Sequence, residues 1–361
     1  MSFDLFSDEP VVPDFDMVPN NNAAPAASTP SVLDFYVAHL QHHGLDERIR
    51  NMLIKHHTFK PCPLAPTPYL QDCLGQRSVK RYTCNANHHP LDDQIEAFED
   101  PHVYFVWDGS QMSCANVVSS TTIIKAFFNG FDDVKQAAQT CTTKSHLAAK
   151  HRPSYKYFRC DTAEHILSVW EENRNAGTRL HLCIEKFLNQ EPYEVDECNQ
   201  KPWKQFWTLH QKHFSKYQPF RTEWAIFDPE TRVAGKIDYL AYDPATGTYV
   251  IIDWKRSERI SDRSFAAFAK KEPEYGFGPC SDLENCNYIT YSLQQNLYKY
   301  ILEHNYGIRV SQMFLVQMHP SINDTDTDGD PVPVLYMVPN LQHYIVKMLA
   351  CRKFLLQEVQ K

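Results

Sequence analysis

Residues 235 to 255 read GKIDYLAYDPATGTYVIIDWK, and the fold of the chain depends on this stretch. Two runs rich in β-branched and aromatic residues flank the turn-forming residues from Asp243 to Thr248, so the pattern predicts a β-hairpin. If the strands pair symmetrically about the midpoint between residues 245 and 246, Asp238 lies directly opposite Asp253. The hairpin therefore brings two carboxylates together.

The paired carboxylates require a counter-charge. Opposed residues on adjacent strands have Cβ atoms about 5 Å apart, and like charges in that arrangement are destabilising. A divalent cation offsets the repulsion, because carboxylate oxygens are the ligands that Mg²⁺ and Mn²⁺ prefer. The two-residue period of a strand also places Lys255 on the face of Asp253, with Trp254 on the opposite face. Such a site can activate a water and stabilise charge on a phosphate.

Helical and strand-like segments surround the hairpin in a regular order. Apolar spacing predicts two helices, three strands, a helix, two strands and a helix. In that order their predicted bounds are Thr162–Asn189, Lys201–Tyr217, Thr222–Phe227, Ala234–Tyr242, Tyr249–Lys255, Tyr288–Asn305, Val310–His319, Val332–Val338 and Leu341–Val359. The order predicts an α/β fold with a mixed central sheet flanked by helices.

The N-terminal part of the chain has a different composition. Residues 1–30 contain five acids and neither Lys nor Arg, and we expect a disordered acidic tail because little apolar surface is available to repay ordering. The alternation of Phe or Leu with Asp in this tail is typical of a segment that docks onto a protein partner, and an uncommitted tail is the alternative. We interpret residues 31–100 as an accessory extension and residues 101–361 as the main domain.

Composition excludes several classes of protein. The chain has 361 residues, of which 43% are hydrophobic, and this excludes a wholly disordered chain, a collagen and a coiled coil. The net charge of −8 argues against a histone-like coat on nucleic acid, but a nuclease can confine its basic residues to one groove. No apolar stretch approaches the ~20 residues of a membrane span, so we expect no membrane association and an intracellular location, cytoplasmic or nuclear. We expect the eleven scattered cysteines to be reduced.

Four short motifs that contain acids, histidine, lysine or glutamine occur one after another between residues 177 and 298. They are Gly177-x-x-x-His181-x-x-x-Glu185, Gly235-x-x-Asp238, Asp253-x-Lys255 and Gln294-x-x-x-Tyr298. On these motifs the chain resembles the PD-(D/E)XK nuclease superfamily, and within it the RecB-like exonuclease branch, which also occurs in phages and large DNA viruses. The motifs span residues 177–298, and a looser likeness covers His102–His319. Gln295 stands where the family usually has leucine, a departure that affects packing more than chemistry.

The resemblance implies a restriction-endonuclease-like core that hydrolyses DNA phosphodiester bonds with Mg²⁺ or Mn²⁺, as an exonuclease in recombination, repair or DNA processing. The DNA would be single- or double-stranded, and a viral protein would act in the host cell. The implied metal ligands are His181, Asp238, Asp253 and the backbone carbonyl of Trp254. Lys255 would orient the attacking water or neutralise charge at phosphorus. The resemblance also implies that Gln294 and Tyr298 contact the substrate backbone or Lys255.

Other residues leave alternatives open. Glu185 is a ligand, a partner of His181 or an acid on the helix surface. Glu223, at the start of the strand before the hairpin, belongs to the site or is solvated at the end of the sheet. Arg256 is a candidate phosphate contact. The aromatic residues between Lys201 and Tyr217 have helical spacing, which favours a core stripe with a basic back over a nucleic-acid stacking groove.

Three other functions compete with an exonuclease. A structure-specific or single-strand endonuclease would use the same chemistry. A catalytically inactive nucleic-acid-binding module would have a damaged metal set, whereas Asp238, Asp253 and Lys255 are intact. A protein-interaction scaffold would depend on the acidic tail and the extension.

Overall fold

The protein is described here by a computed structural model that covers residues 31–55, 82–98, 103–268 and 272–359. The predicted acidic tail lies outside these residues. The helices are α1 Val32–His43, α2 Glu47–Lys55, α3 Tyr82–Ala86, α4 Ser120–Lys125, α5 Asp133–Thr142, α6 Lys144–Ala149, α7 Ala163–Leu188, α8 Gln200–Leu209, α9 Phe265–Phe268, α10 Asn287–Asn305 and α11 Gln342–Val359. The strands are β1 Ile95–Phe98, β2 Val103–Trp107, β3 Met112–Ser113, β4 Val118–Ser119, β5 Gln218–Asp228, β6 Val233–Asp243, β7 Thr248–Arg256, β8 Val310–Met318 and β9 Val334–Met337.

A mixed six-stranded sheet forms the centre of the described chain, which confirms the predicted α/β fold. Strands β5, β6 and β7 are antiparallel neighbours, β8 runs parallel to β7, and β9 runs antiparallel to β8. Strand β5 pairs with one edge of β6 along its length. The other edge of β6 pairs with β4 near the start of the strand and with β7 near its end. This arrangement leaves a fork in the sheet between β4 and β7.

The hairpin register is the one that the sequence predicts. Strands β6 and β7 pair from Tyr239–Ile252 to Asp243–Thr248, symmetrically about residues 245 and 246. Gly247 has a φ of +68° in the connecting turn, a conformation that glycine adopts without steric cost. A slip of one residue would turn the buried side chains of β7 to the wrong face, so burial on both faces maintains this register.

Two hydrophobic layers enclose the sheet. Helices α7 and α8 cover one face, where Ile184 and Phe206 pack against Ile252 and Trp254. Helices α4, α10 and α11 cover the other face, where buried side chains meet those of Ile251 and Leu315; they include Ile123, Leu297, Ile301 and Ile345. The alternation along β7 therefore sends Trp254 towards α7 and α8, and sends Asp253 and Lys255 towards α10.

The described part of the accessory extension packs into the same core. Leu33 of α1 and Leu53 of α2 are buried in the layer that contains α11. Asp34 pairs with Lys353 at 2.6 Å, and residues 82–98 contact β5, where the Asp92 carboxylate lies 2.6 Å from the Arg221 guanidinium. The described residues of the extension therefore help to form the layer behind the sheet.

Two expectations from composition can be compared with the described residues. Eight cysteines are free thiols, as predicted, but Cys114 is disulfide-bonded, so the expectation of reduced cysteines is wrong at that position. No helix within the described ranges is long and apolar enough to cross a membrane.

Gly235 provides a test of the packing around the fork. A Cβ atom at Gly235 would overlap the Tyr298 ring and lie 2.9 Å from Ser120 Oγ. We expect Gly235→Ala to lower the free energy of unfolding by about 1–3 kcal/mol, because neither neighbour can move without disturbing the core. Chemical denaturation measures this change. Gly130→Ala is the control, since no atom lies within 4 Å of that added Cβ, and an equal loss in both variants would contradict the close-packing explanation.

Candidate functional site

Three carboxylates form a row across β5, β6 and β7. The residues on either side of Glu223 pair with the residues on either side of Asp238, so these two acids lie opposite each other. The register of β6 and β7 then brings Asp253 level with Asp238. The three side chains expose only 18%, 13% and 6% of their surfaces. Neighbouring like charges in such poorly solvated positions must be compensated.

Asp238 lies where β6 and β7 separate. Regular pairing of these strands ends at Tyr239 and Ile252, next to the acidic row. The backbone N–H of Trp254 then donates a hydrogen bond to Asp238 Oδ2 at 3.0 Å. The carboxylate thus takes the place of a backbone acceptor, and this bond fixes the side chain at the open end of the strand pair.

Three basic side chains surround the row. Lys236 Nζ lies 2.7 Å from Glu223 Oε2, and Lys255 Nζ lies 2.6 Å from Asp253 Oδ2. The Lys255 ammonium also lies 4.6 Å from the centre of the Tyr291 ring. His181, on α7, has Nδ1 at 3.5 Å from Asp238 Oδ2 and at 3.8 Å from Glu223 Oε1. Each carboxylate therefore has a basic neighbour.

The charges of the site shift its pKa values in different directions. Burial and the neighbouring Asp253 carboxylate raise the pKa of Asp238 to about 7. Burial opposes ionisation of Glu223, but its bonds to His181 and Lys236 prevail and lower its pKa to about 2. Burial likewise disfavours charge on His181 and Lys255, yet the adjacent carboxylates raise both pKa values, that of His181 to about 9.

The geometry around His181 agrees with a protonated ring. Its Nε2 lies 2.9 Å from the carbonyl oxygen of Trp254, which can only accept a hydrogen bond. Its Nδ1 faces the carboxylates of Asp238 and Glu223. Because both ring nitrogens face acceptors, this geometry favours a proton on each of them.

One group of potential metal ligands occurs at this site. Ligand atoms of His181, Glu223 and Asp238 all lie within 4.8 Å of one another. Carboxylate oxygens suit Mn²⁺ and Mg²⁺. Burial and the repulsion from Asp253 raise the pKa of Asp238, and a cation would oppose both effects. The residues present therefore fit such an ion.

The predicted ligands are only partly brought together. His181, Asp238 and the Trp254 carbonyl meet as expected. The Asp253 carboxylate instead contacts Lys255, and neither Asp253 nor Glu185 belongs to the group of ligand atoms within 4.8 Å. Glu223 belongs to it, which the sequence left open. Glu223 has a φ of +44°, a conformation that costs a non-glycine residue about 1–3 kcal/mol and is common at functional sites.

The predicted substrate contacts have different surroundings. Tyr298 is buried, and its hydroxyl lies 3.1 Å from Ser120 Oγ, so the residue lies behind the acidic row and does not reach a substrate directly. Gln294 is half-buried on the same helix. Arg256 lies at the surface of the site, where its Nε donates to Asn199 Oδ1 at 2.7 Å.

A groove of about 480 Å³ opens beside the row, between α7 and the end of β7. Its wall includes His181 and Lys255 from the site, together with Arg174 and Arg256. The site is therefore accessible from a basic surface.

No protein-family model matches the chain, and no curated protein matches its sequence. Function is therefore inferred from the geometry of the site.

The raised pKa of His181 leads to a prediction for the metal-free protein. Near neutral pH both ring nitrogens should be protonated, whereas His210, whose pKa is lowered by burial, should be neutral. Because the pKa is raised, the stabilisation from this proton is complete below pH 6.5 and is lost as the pH rises through about 9. Long-range ¹H–¹⁵N spectra of the histidine rings, assigned with His181→Gln, measure these states. A neutral His181 tautomer at neutral pH would contradict the charge balance described above.

Proposed function

We propose that the protein is a metal-dependent nuclease that hydrolyses phosphodiester bonds of DNA. The observation that supports this most is the row of Glu223, Asp238 and Asp253, with Lys255 beside it and a basic groove above it. Acids that could hold a divalent ion next to a surface that attracts phosphate suit phosphodiester hydrolysis.

His181, Glu223, Asp238 and the Trp254 carbonyl would hold the ion, with Asp253 as a further acid within the row. A bound Mg²⁺ or Mn²⁺ lowers the pKa of water and stabilises charge on phosphate oxygens. His181 must lose the proton on the nitrogen that becomes a ligand, so binding of the ion is coupled to proton release.

Lys255 is the residue proposed to act on the phosphate. Its pKa is raised, so the ammonium remains charged, and Asp253 and Tyr291 hold it in place. A fixed ammonium beside the phosphate can donate to a non-bridging oxygen or orient the attacking water, and it needs no reorganisation when charge develops. Asp253 would then position Lys255 in addition to, or in place of, binding an ion.

The mode of cleavage remains a prediction from the sequence. The resemblance to RecB-like nucleases favours an exonuclease, and a structure-specific or single-strand endonuclease would use the same residues. If the protein were an inactive binding module, charged residues needed for catalysis would be missing. The three acids, His181 and Lys255 are all present and make the contacts described above.

The first test is cleavage of end-labelled DNA. Wild-type protein should degrade linear single- or double-stranded DNA with Mg²⁺ or Mn²⁺ and should be inactive with a chelator; circular substrates separate exonuclease from endonuclease activity. Lys255→Met should lower turnover by about 10²–10³-fold, the typical cost of one fixed donor to a developing oxyanion. Lys212→Met is the control, because that ammonium is also held by carboxylates, those of Asp326 and Asp328, and does not line the groove.

Two results would contradict the proposal. One is the absence of metal-dependent cleavage on every substrate with folded wild-type protein. The other is full turnover of Lys255→Met after contaminating nuclease has been excluded.

The second test is stabilisation by the ion. An ion that binds only the folded state should raise the free energy of unfolding by about 2.7 kcal/mol at one hundred times its Kd. Asp238→Asn keeps an oxygen for the Trp254 N–H but removes the charge, so its metal-free midpoint should equal or exceed that of wild type while the ion-induced rise is lost. Thermal unfolding at several ion concentrations measures both.

Asp328→Asn is the matched control for this test. Asp326, Asp328 and Asp330 are the other described acids close enough together to hold an ion, but Lys212 already contacts them. Stabilisation that is lost in Asp328→Asn and kept in Asp238→Asn would place the ion in the acidic loop and refute the proposed site.

A further inference from the structure

The groove beside the acidic row has an unusual charge for this protein. The chain carries a net charge of −8, yet the groove is lined by Arg174, Lys255 and Arg256, and none of its lining residues is an acid. Arg256 is anchored through Nε and Nη2 to Asn199 and to the Cys198 carbonyl, and its Nη1 is buried without a hydrogen-bond partner among the described residues. Arg174 is 61% exposed, and its Nη1 lies 3.7 Å from Asp133 Oδ2. This charge pattern suits a polyanion.

The groove also has an aromatic wall. Trp170 of α7 lines it, and the indole N–H already donates to the Tyr157 hydroxyl at 2.9 Å. Because the polar edge of the indole is occupied, Trp170 can offer a ligand only its apolar ring surface. The Phe131 ring lies 6.1 Å from the Trp170 ring and is 64% exposed, so it extends the aromatic surface.

We infer that this groove binds a single strand of DNA, with one base stacked on Trp170 and its phosphates near Arg174 and Arg256. Aromatic rings beside a basic track are the usual means of holding a single strand, because every unpaired base offers a ring face. Bases inside a duplex have no free face, so a stack on Trp170 requires an unpaired base. The inference rests on the proposed function, since it specifies the substrate of that site.

A second aromatic surface is the alternative place at which a single strand could bind. Trp203 and Trp207 of α8 pack with Phe187, and Trp207 is 40% exposed. Two lysines of that region are already occupied: Lys201 donates to the Pro320 carbonyl and to Asn323, and Lys212 pairs with Asp326 and Asp328. The groove at Trp170 is preferred because its ring and its three cations adjoin the acidic row, whereas none of the residues of this second surface lines that groove.

The test measures binding in a chelator, so that no cleavage occurs. The probes are a short fluorescent oligothymidylate, the same strand with one central abasic position, and a blunt-ended duplex of equal length. Trp170→Ala should weaken binding of the intact single strand by about 5- to 150-fold, the loss expected for one base–aromatic stack, and should change duplex binding much less. Trp170→Phe should retain most of the affinity.

Two controls separate stacking from folding. Tyr157→Phe breaks the hydrogen bond to the indole but leaves the ring in the groove, so single-strand binding should persist. Trp207→Ala removes a half-exposed tryptophan outside the groove and should have no effect. Scanning the abasic position along the strand should identify a position at which wild-type affinity falls to that of Trp170→Ala.

Three outcomes would overturn the inference: unchanged single-strand binding in Trp170→Ala, an equal loss for single strand and duplex, or a loss confined to Trp207→Ala. The same experiments distinguish a failure of the single-strand inference from a failure of the nuclease proposal. Selective, Trp170-dependent binding without any metal-dependent cleavage would support the groove and refute the nuclease. Cleavage that persists with the same strand preference in Trp170→Ala would support the nuclease and refute the groove.

Discussion

The repulsion among Glu223, Asp238 and Asp253 is the constraint on which the site depends. The strand registers force the three carboxylates into one row, and partial burial prevents water from screening them. Lys236, Lys255 and protonated His181 supply three positive charges against three negative ones. Burial and Asp253 raise the pKa of Asp238 to about 7, so the metal-free row is close to neutral between about pH 7 and pH 9, where the proton on His181 completes the balance.

The surrounding fold maintains this arrangement. Asp238 must lie at the fork, because there its carboxylate accepts the Trp254 N–H that would otherwise lose a partner. Close packing of Gly235 against Tyr298 and Ser120 seats α10 and α4 beneath the same part of β6. Backbone pairing, packing and charge compensation thus coincide within a few residues of β6, from Gly235 to Asp238.

Much of this could be predicted from the sequence because turns are local. The register of β6 and β7 follows from the turn residues between them, and Asp238, Asp253 and Lys255 follow from that register. The same symmetry applied to β5 and β6 would have placed Glu223 opposite Asp238, but its positive φ has no sequence signal. The surroundings of Tyr298 depend on contacts with distant helices, which spacing along one helix does not reveal.

Gln295 shows how a polar side chain can be accommodated at a buried position of α10. It is fully buried where an apolar residue is expected, and its Nε2 donates to the Phe314 carbonyl at 2.9 Å. The helix therefore remains seated on β8 by a hydrogen bond in addition to apolar packing.

The charge balance also bears on how an acidic protein could attract DNA. In the proposed loaded state a divalent ion replaces the proton on His181, so the charge at the row changes from neutral to one net positive charge. The ion would therefore add attraction for phosphate at the row itself. Arg174 and Arg256, which do not belong to the row, would attract the strand at all times. In the proposed nuclease, attraction and chemistry would therefore fall to separate residues, so the substrate would bind without the ion and be cleaved only with it.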